Sequence, residues 1–157
     1  MMDIFHGEFV EERRKQGKEI AAKLASVYRH ENEQSPWLVY NMNYWLDGER
    51  PEVIPDDYFT NPASMTRFQT DRMKTHMERY EDDFIPFLFP WYGTGVLPSA
   101  LGVEVLFHPI QDPSRGMPVV KELADIEKLV KPDPFKNGLM PEVLKCIDFM
   151  RANTDLP

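Results

Sequence analysis

The chain has 157 residues, enough for one ordinary domain that buries roughly 70% of the surface its unfolded form exposes. Its 42% hydrophobic and 28% charged residues fit a folded globular protein and exclude a disordered tail. A net charge of -8, with no cluster of Lys and Arg to offset it, repels phosphate backbones and anionic lipid, so no nucleic-acid or membrane partner is expected.

The opening "MMDIFHGEF" has neither a basic start nor a long apolar region, so it does not read as a secretory signal. Cys146 stands alone, which rules out an internal disulfide and points to a reducing cytoplasm. Residues Glu8 to His30 read as a helix, with Val10, Ile20, Leu24, Val27 and Tyr28 on one stripe and "EERRK" and "GKE" on the wet side. Gly17 weakens that helix by about 1 kcal/mol relative to Ala. "PWLVYNMNYWL", Pro36 to Leu46, is aromatic and β-rich and reads as a strand that begins at its proline. Asp47 to Pro62 then forms a long connection, and connections of that length often carry function.

Asn61 can cap the next helix, with Pro62 at its first position. Met65, Phe68, Met73, His76, Met77 and Tyr80 follow at helical spacing, a Met-rich stripe suited to core filling. The run Phe84 to Val103 carries no charge, but Pro86, Pro90 and Pro98 break it together with Gly93, Gly95 and Gly102, which argues against a membrane-spanning helix. Within it "FIPFLFP", Phe84 to Pro90, suits a strand buried on both faces, as in a parallel sheet covered by helices. "GVEVLFH" alternates like a further short strand, "DPSRGMP" reads as a loop, and "ADIEKLV" as a short helix stopped before Pro132. Asn137-Gly138 marks a turn. Pro141 opens a last helix whose inner face carries Val143, Leu144, Ile147 and Met150, and "TDLP" reads as the start of another strand. The order of helices and strands belongs to the α/β class, and two main strands leave uncovered edges and faces.

The stretches "FIPFLFPWYGTGVLPSALGVEVLF", "DIEKLVKPDP" and "GLMPEVLKCIDFMR" resemble the N-terminal part of the uroporphyrinogen decarboxylase superfamily, most specifically in "LPSALGVEV" and "GLMPEVL". The resemblance covers about Pro36 to the C-terminus. It implies the N-terminal portion of a TIM (β/α)8 barrel, incomplete by itself, in which 1–35 is a helical extension and 36–157 supplies the first βα units. Pro36 to Leu46 would be the first barrel strand and Phe84 to Pro90 the second, whose end breaks into the loop that faces substrate.

That superfamily includes porphyrinogen decarboxylases and corrinoid-dependent methyltransferases. The decarboxylases carry an Arg-rich motif after the first strand and an Asp just after the second. Here Arg50 is the only basic residue of the first loop, Gly93 stands at the Asp position, and no acid lies between Phe84 and Val103. The resemblance therefore favours part of a corrinoid-dependent methyltransferase. Porphyrinogen decarboxylase in haem biosynthesis is one alternative, and a non-catalytic fragment or assembly subunit is another. It also implies self-association or a second polypeptide to complete the barrel, a corrinoid protein as partner, and a zinc whose ligands would lie beyond Pro157. The chain by itself is expected to hold no cofactor and no metal, and it is expected to be inactive alone.

Position in such a barrel, where chemistry gathers at the C-terminal ends of strands, singles out Asn41, Asn43, Trp91, Tyr92 and Thr94 for substrate binding. Asn41 and Asn43 share one strand face, so their amides either meet a polar substrate or bond neighbouring loops. Trp91 and Tyr92 offer an aromatic wall with a polar edge. Arg50 could hold a carboxylate or pair with a nearby surface acid. No residue is assigned a catalytic role. His6, His30, His76 and His108 are scattered, and Cys146 at helical spacing from Val143 and Ile147 reads as a buried, inert thiol.

Overall fold

The computed structural model describes residues 8–31, 46–47, 50–51 and 54–156. Most of the expected first strand, Pro36 to Leu46, lies outside these residues. Helix α1 spans Glu8–Tyr28, as its apolar periodicity requires. It ends where His30 adopts φ 57°, which lets His30 N–H donate to Val27 C=O and Glu31 N–H donate to Ser26 C=O. These two bonds close the last turn in the usual left-handed cap. Ile20, Leu24 and Val27 are half-buried, whereas Tyr28 departs from the stripe and is 79% exposed. Lys23 fastens α1 to the turn before Phe84 through Asp83, 2.6 Å away.

Gly17 faces Ile85, where an added Cβ would lie 3.6 Å from Ile85 Cγ2, an ordinary contact. Gly17→Ala should therefore raise stability by about 1 kcal/mol, through backbone entropy and helix propensity. A higher urea midpoint with an unchanged slope is the expected observation. An unchanged or lower midpoint would mean that α1 is not helical at this point when the chain unfolds.

Two residues in β1 (Leu46–Asp47) pair antiparallel with two in β2 (Arg50–Pro51). Helix α2, Pro62–Arg79, then starts as its sequence signals: Asn61 is the N-cap, its side-chain oxygen accepts from Ala63 N–H at 3.1 Å, and Pro62 occupies the first turn. Asp57 braces this start by accepting from Ser64 Oγ at 2.6 Å and from Asn61 Nδ2 at 2.8 Å, bonds that hold its carboxyl below the ordinary value.

The inner face of α2 buries Met65, Phe68, Met73 and His76, and also Thr66, Gln69 and Thr70. The threonines satisfy their hydroxyls on α2's own carbonyls: Thr66 on Pro62 and Thr70 on Thr66 and Arg67. His76 and Asp82 form a buried pair at 2.9 Å, and Asp82 also accepts from Phe84 N–H, so the chain leaving α2 is folded back against the helix.

Phe84 to Pro90, expected as a strand, forms neither helix nor strand and joins no ladder among the described residues. Its backbone is met by a side chain: Phe89 N–H donates to Gln69 Oε1 at 3.2 Å, and Gln69 Nε2 donates to Phe89 C=O at 2.7 Å. A single amide from α2 thus stands where a neighbouring strand would, while Pro86 and Pro90 have no N–H to offer. Beyond it come a 3-10 turn at Gly93–Gly95 and the short helix α3, Val96–Ala100. Strands β3 (Val105–Leu106) and β4 (Ser114–Arg115) then form an antiparallel hairpin that includes part of the expected "DPSRGMP" loop. Pairing among the described residues is antiparallel, and no parallel pair occurs among them. A 3-10 segment at Leu123–Lys128, begun by reciprocal bonds between Glu122 and Asp125, replaces the expected short α-helix.

Helix α4, Met140–Asn153, packs on α2. Its Cys146 thiol lies 3.5 Å from Met65 sulfur, both fully buried, and Met150 lies along the same face. Ile54, Tyr58, Phe59, Phe68 and Tyr92 complete this core. Tyr58 meets both Phe59 and Phe68 edge-on, a favoured aromatic geometry. The core thus lies between two helices and the loops at their ends.

Candidate functional site

The run from Phe84 leads to Trp91, Tyr92 and Thr94: Tyr92 joins the core cluster, Trp91 packs against it, and Thr94 is exposed. Tyr92 turns inward and is 1% exposed, set against Phe59 and Phe107. Burial raises its phenol pKa far above the ordinary value, which keeps it neutral. It therefore offers no wall to an open site. Trp91 is half-buried and donates from Nε1 to Asp112 at 3.0 Å, which ties the run to the loop before β4. Thr94 is exposed and faces a cleft of about 520 Å³.

Two close backbone approaches build this cleft. Gly93 has φ 72°, and a Cβ there would meet Pro113 Cβ at 3.0 Å and its carbonyl oxygen at 3.2 Å. At Gly95 a Cβ would come to 2.7 Å from Val105 Cγ2. "GTG" is thus the turn that lets residues 93–95 press against the β3–β4 hairpin. Pro98, Val103 and Pro118 supply apolar walls, and Arg115 supplies charge. On the hairpin, His108 Nε2 lies 2.9 Å from Ser114 Oγ, and Phe107 stacks on Phe59 at 4.3 Å between ring centres, fixing the hairpin to the core.

Among the residues expected to bind substrate, Asn41 and Asn43 lie outside the described residues. Arg50 is described through its backbone, which pairs with Asp47. Of Trp91, Tyr92 and Thr94, Thr94 lines the cleft, while Tyr92 belongs to the core. Arg115 was missed because "DPSRGMP" has no periodicity to separate a lining residue from a solvated one. Gln69 was missed because only the apolar residues of its helix, Met65, Phe68 and Met73 among them, were read as its inner face.

Cys146 is buried, and loss of hydration raises its thiol from the ordinary 9.0 to about 11. In the native chain it should resist thiol reagents at pH 8 and react at once in urea. The unfolded thiol ionises near pH 9 and the folded one near 11, so over that window the unfolded state holds fewer protons and stability falls as pH rises. Urea midpoints measured from pH 8 to 11 should decline in the wild type and decline less in Cys146→Ala. Rapid labelling of native Cys146 at pH 8 would contradict its burial.

Among the described residues no three His, Cys, Asp or Glu gather to hold a metal ion. No described helix is long and apolar enough to cross a membrane. No family model, no curated protein and no solved structure matches the chain.

Proposed function

We propose that this chain supplies the first βα units of a uroporphyrinogen-decarboxylase-like (β/α)8 barrel and acts in the cytoplasm as part of a corrinoid-dependent methyltransferase. One observation carries the reading. The two segments in which the resemblance is most specific, "LPSALGVEV" and "GLMPEVL", meet in space. Leu139 N–H donates to Ser99 Oγ at 2.9 Å, Ser99 Oγ donates to Val96 C=O at 2.6 Å, and Gly138 lies directly against the Ser99–Ala100 backbone. Segments about 40 residues apart in sequence that lock together through a hydroxyl and a glycine form one structural unit, as parts of a single motif should.

The surface supports completion by further polypeptide. Met117, Leu123 and Val130 are 79%, 84% and 80% exposed, and Leu97 and Phe135 also face solvent. Apolar side chains of this size, grouped along 97–135, fit coverage by a second copy or by another chain that supplies the remaining strands. The same surface fits a subunit without catalysis of its own. Zinc, which the resemblance implies for a whole barrel, finds no ligand set among the described residues, and no step is assigned to it.

Affinity-tagged chain, recovered from its own cells, tests the reading. Co-purification of a protein with the absorption spectrum of a corrinoid, and of methyl transfer to cob(I)alamin, is the expected result. Release of coproporphyrinogen from uroporphyrinogen by the recovered complex would overturn the methyltransferase reading in favour of decarboxylation. Recovery of a complex with neither activity would leave the assembly role in its place.

A further inference from the structure

We infer that the cleft between the Gly93–Gly95 turn and the β3–β4 hairpin binds the carboxylate of a small organic acid, with Arg115 as its counter-charge. The inference deepens the reading above, since Thr94 and this turn are where that reading places substrate, and it names the class of ligand. Charge is the first reason. The chain carries -8 overall, and other clefts among the described residues follow suit. The one between α1 and the end of α2 is lined by Glu19, Glu81 and Asp82, and the one beside the start of α2 sets Asp57 and Asp71 against Arg67. In the Thr94 cleft Arg115 is the one charged residue of the lining among the described residues. The charged side chain that lines this concave site is thus a cation, which favours an anionic ligand.

Arg115 is also available. Lys23, Arg29, Lys74, Lys128, Lys136 and Lys145 each pair with a carboxylate, but no carboxylate of the described residues lies within ion-pair distance of Arg115. Glu104, across the hairpin, accepts from Gly116 N–H through its backbone carbonyl, and its carboxylate lies beside Gly116, 3.5 Å from a Cβ built there, without forming an ion pair with Arg115. Val105 opposite Arg115 in the ladder and Gly95 beneath it flank the arginine stem: a Cβ at Gly95 would lie 3.5 Å from Arg115 Cγ. The stem thus packs on the turn that carries Thr94, whose hydroxyl has no partner among the described residues.

Shape narrows the ligand. Pro98, Val103, Pro113 and Pro118 present rigid apolar surface beside the guanidinium, and the close contacts of Gly93 and Gly95 hold the two walls together before any ligand arrives. A bare inorganic anion would leave that apolar surface wet. A carboxylate on a compact apolar body would meet the guanidinium through two parallel hydrogen bonds, take one from Thr94, and cover the prolines. A volume of about 520 Å³ suits one small molecule.

Benzoate is the probe, benzamide its uncharged match, and inorganic phosphate the bare anion. In titrations of the 15N-labelled chain followed by NMR, benzoate should shift the amides of Thr94, Gly95 and Ser114 to Gly116, and bind at least ten-fold more tightly than benzamide or phosphate. Arg115→Gln should weaken benzoate at least ten-fold, and Arg115→Lys less, while the amide spectrum elsewhere stays unchanged because the side chain is exposed. Equal binding of benzoate and benzamide, tighter binding of phosphate, or undiminished binding to Arg115→Gln would each overturn the proposal. These titrations need no partner and no methyl donor, so their failure is distinct from a failure to find a corrinoid protein or methyl transfer.

Discussion

Gln69→Leu is expected to destabilise the chain by about 3 kcal/mol, although the substitution keeps a side chain of similar size at a fully packed position. Gln69 is 1% exposed, and its amide serves three groups at once: it donates to Phe89 C=O and to Tyr58 hydroxyl, and it accepts from Phe89 N–H. Leucine satisfies none of them. Removing the partner of a buried donor or acceptor costs roughly 1–3 kcal/mol per group, and Leu returns only part of that through its apolar surface. The loss should also loosen the Phe84–Pro90 run, since this amide is what holds its far end to α2. Urea unfolding followed by tryptophan fluorescence reads the first effect, and the environment of Trp91, two residues beyond Phe89, reports the second. A loss below about 1 kcal/mol would mean that another group stands in for the amide.

Gly138→Ala should cost about as much or more, roughly 3 kcal/mol from left-handed strain and overpacking together. Gly138 has φ 59°, and a Cβ there would fall 2.4 Å from both Ala100 N and Ser99 C. Those are backbone atoms of a helix end, so no rotamer change relieves the clash, and the Leu139–Ser99 bond next to it would break. Gly102→Ala is the control. Its φ of 94° imposes backbone strain too, but its Cβ would meet only Val119 Cγ1 at 3.7 Å, so about 1–2 kcal/mol is expected. If the two variants lose equal stability, backbone strain alone explains both, and the contact between the segments around Ser99 and Gly138 contributes nothing.

Helices α1, α2 and α4 were legible because their signals are local. Asn61-Pro62 announces the start of α2 through a side-chain oxygen and a preset φ, and the spacing of Met65, Phe68, Met73 and His76 fixes which face turns inward. Pro141 and the spacing of Val143, Ile147 and Met150 do the same for α4, and the burial of Cys146 follows from its place on that stripe. The Asn137-Gly138 turn was equally plain, since only the residue type and its neighbours matter for a left-handed φ.

What lay beyond the sequence was pairing. The pattern of Phe84 to Pro90 states that the run is apolar and extended, but an extended backbone needs partners for its N–H and C=O groups, and composition does not name them. In the structure Phe89 finds its partner in Gln69, 20 residues earlier on a helix; Phe84 and Pro86 are buried but Phe87 is 42% exposed, so the run is not covered on both faces and joins no ladder among the described residues. Likewise Tyr92 and Thr94 read as neighbours on one aromatic and polar rim. The turn at Gly93 sends the first into the α2–α4 core and the second to the cleft, where Arg115 arrives from β4, the arm of the hairpin that the sequence showed only as a loop. Sequence by itself determined helices α1, α2 and α4, the Asn61 cap of α2 and most of their buried faces, because those depend on residues within a few positions of one another. Tertiary structure alone decided which side chain closes the backbone of the Phe84–Pro90 run and which residues share the cleft, because those contacts join segments whose meeting no local spacing records.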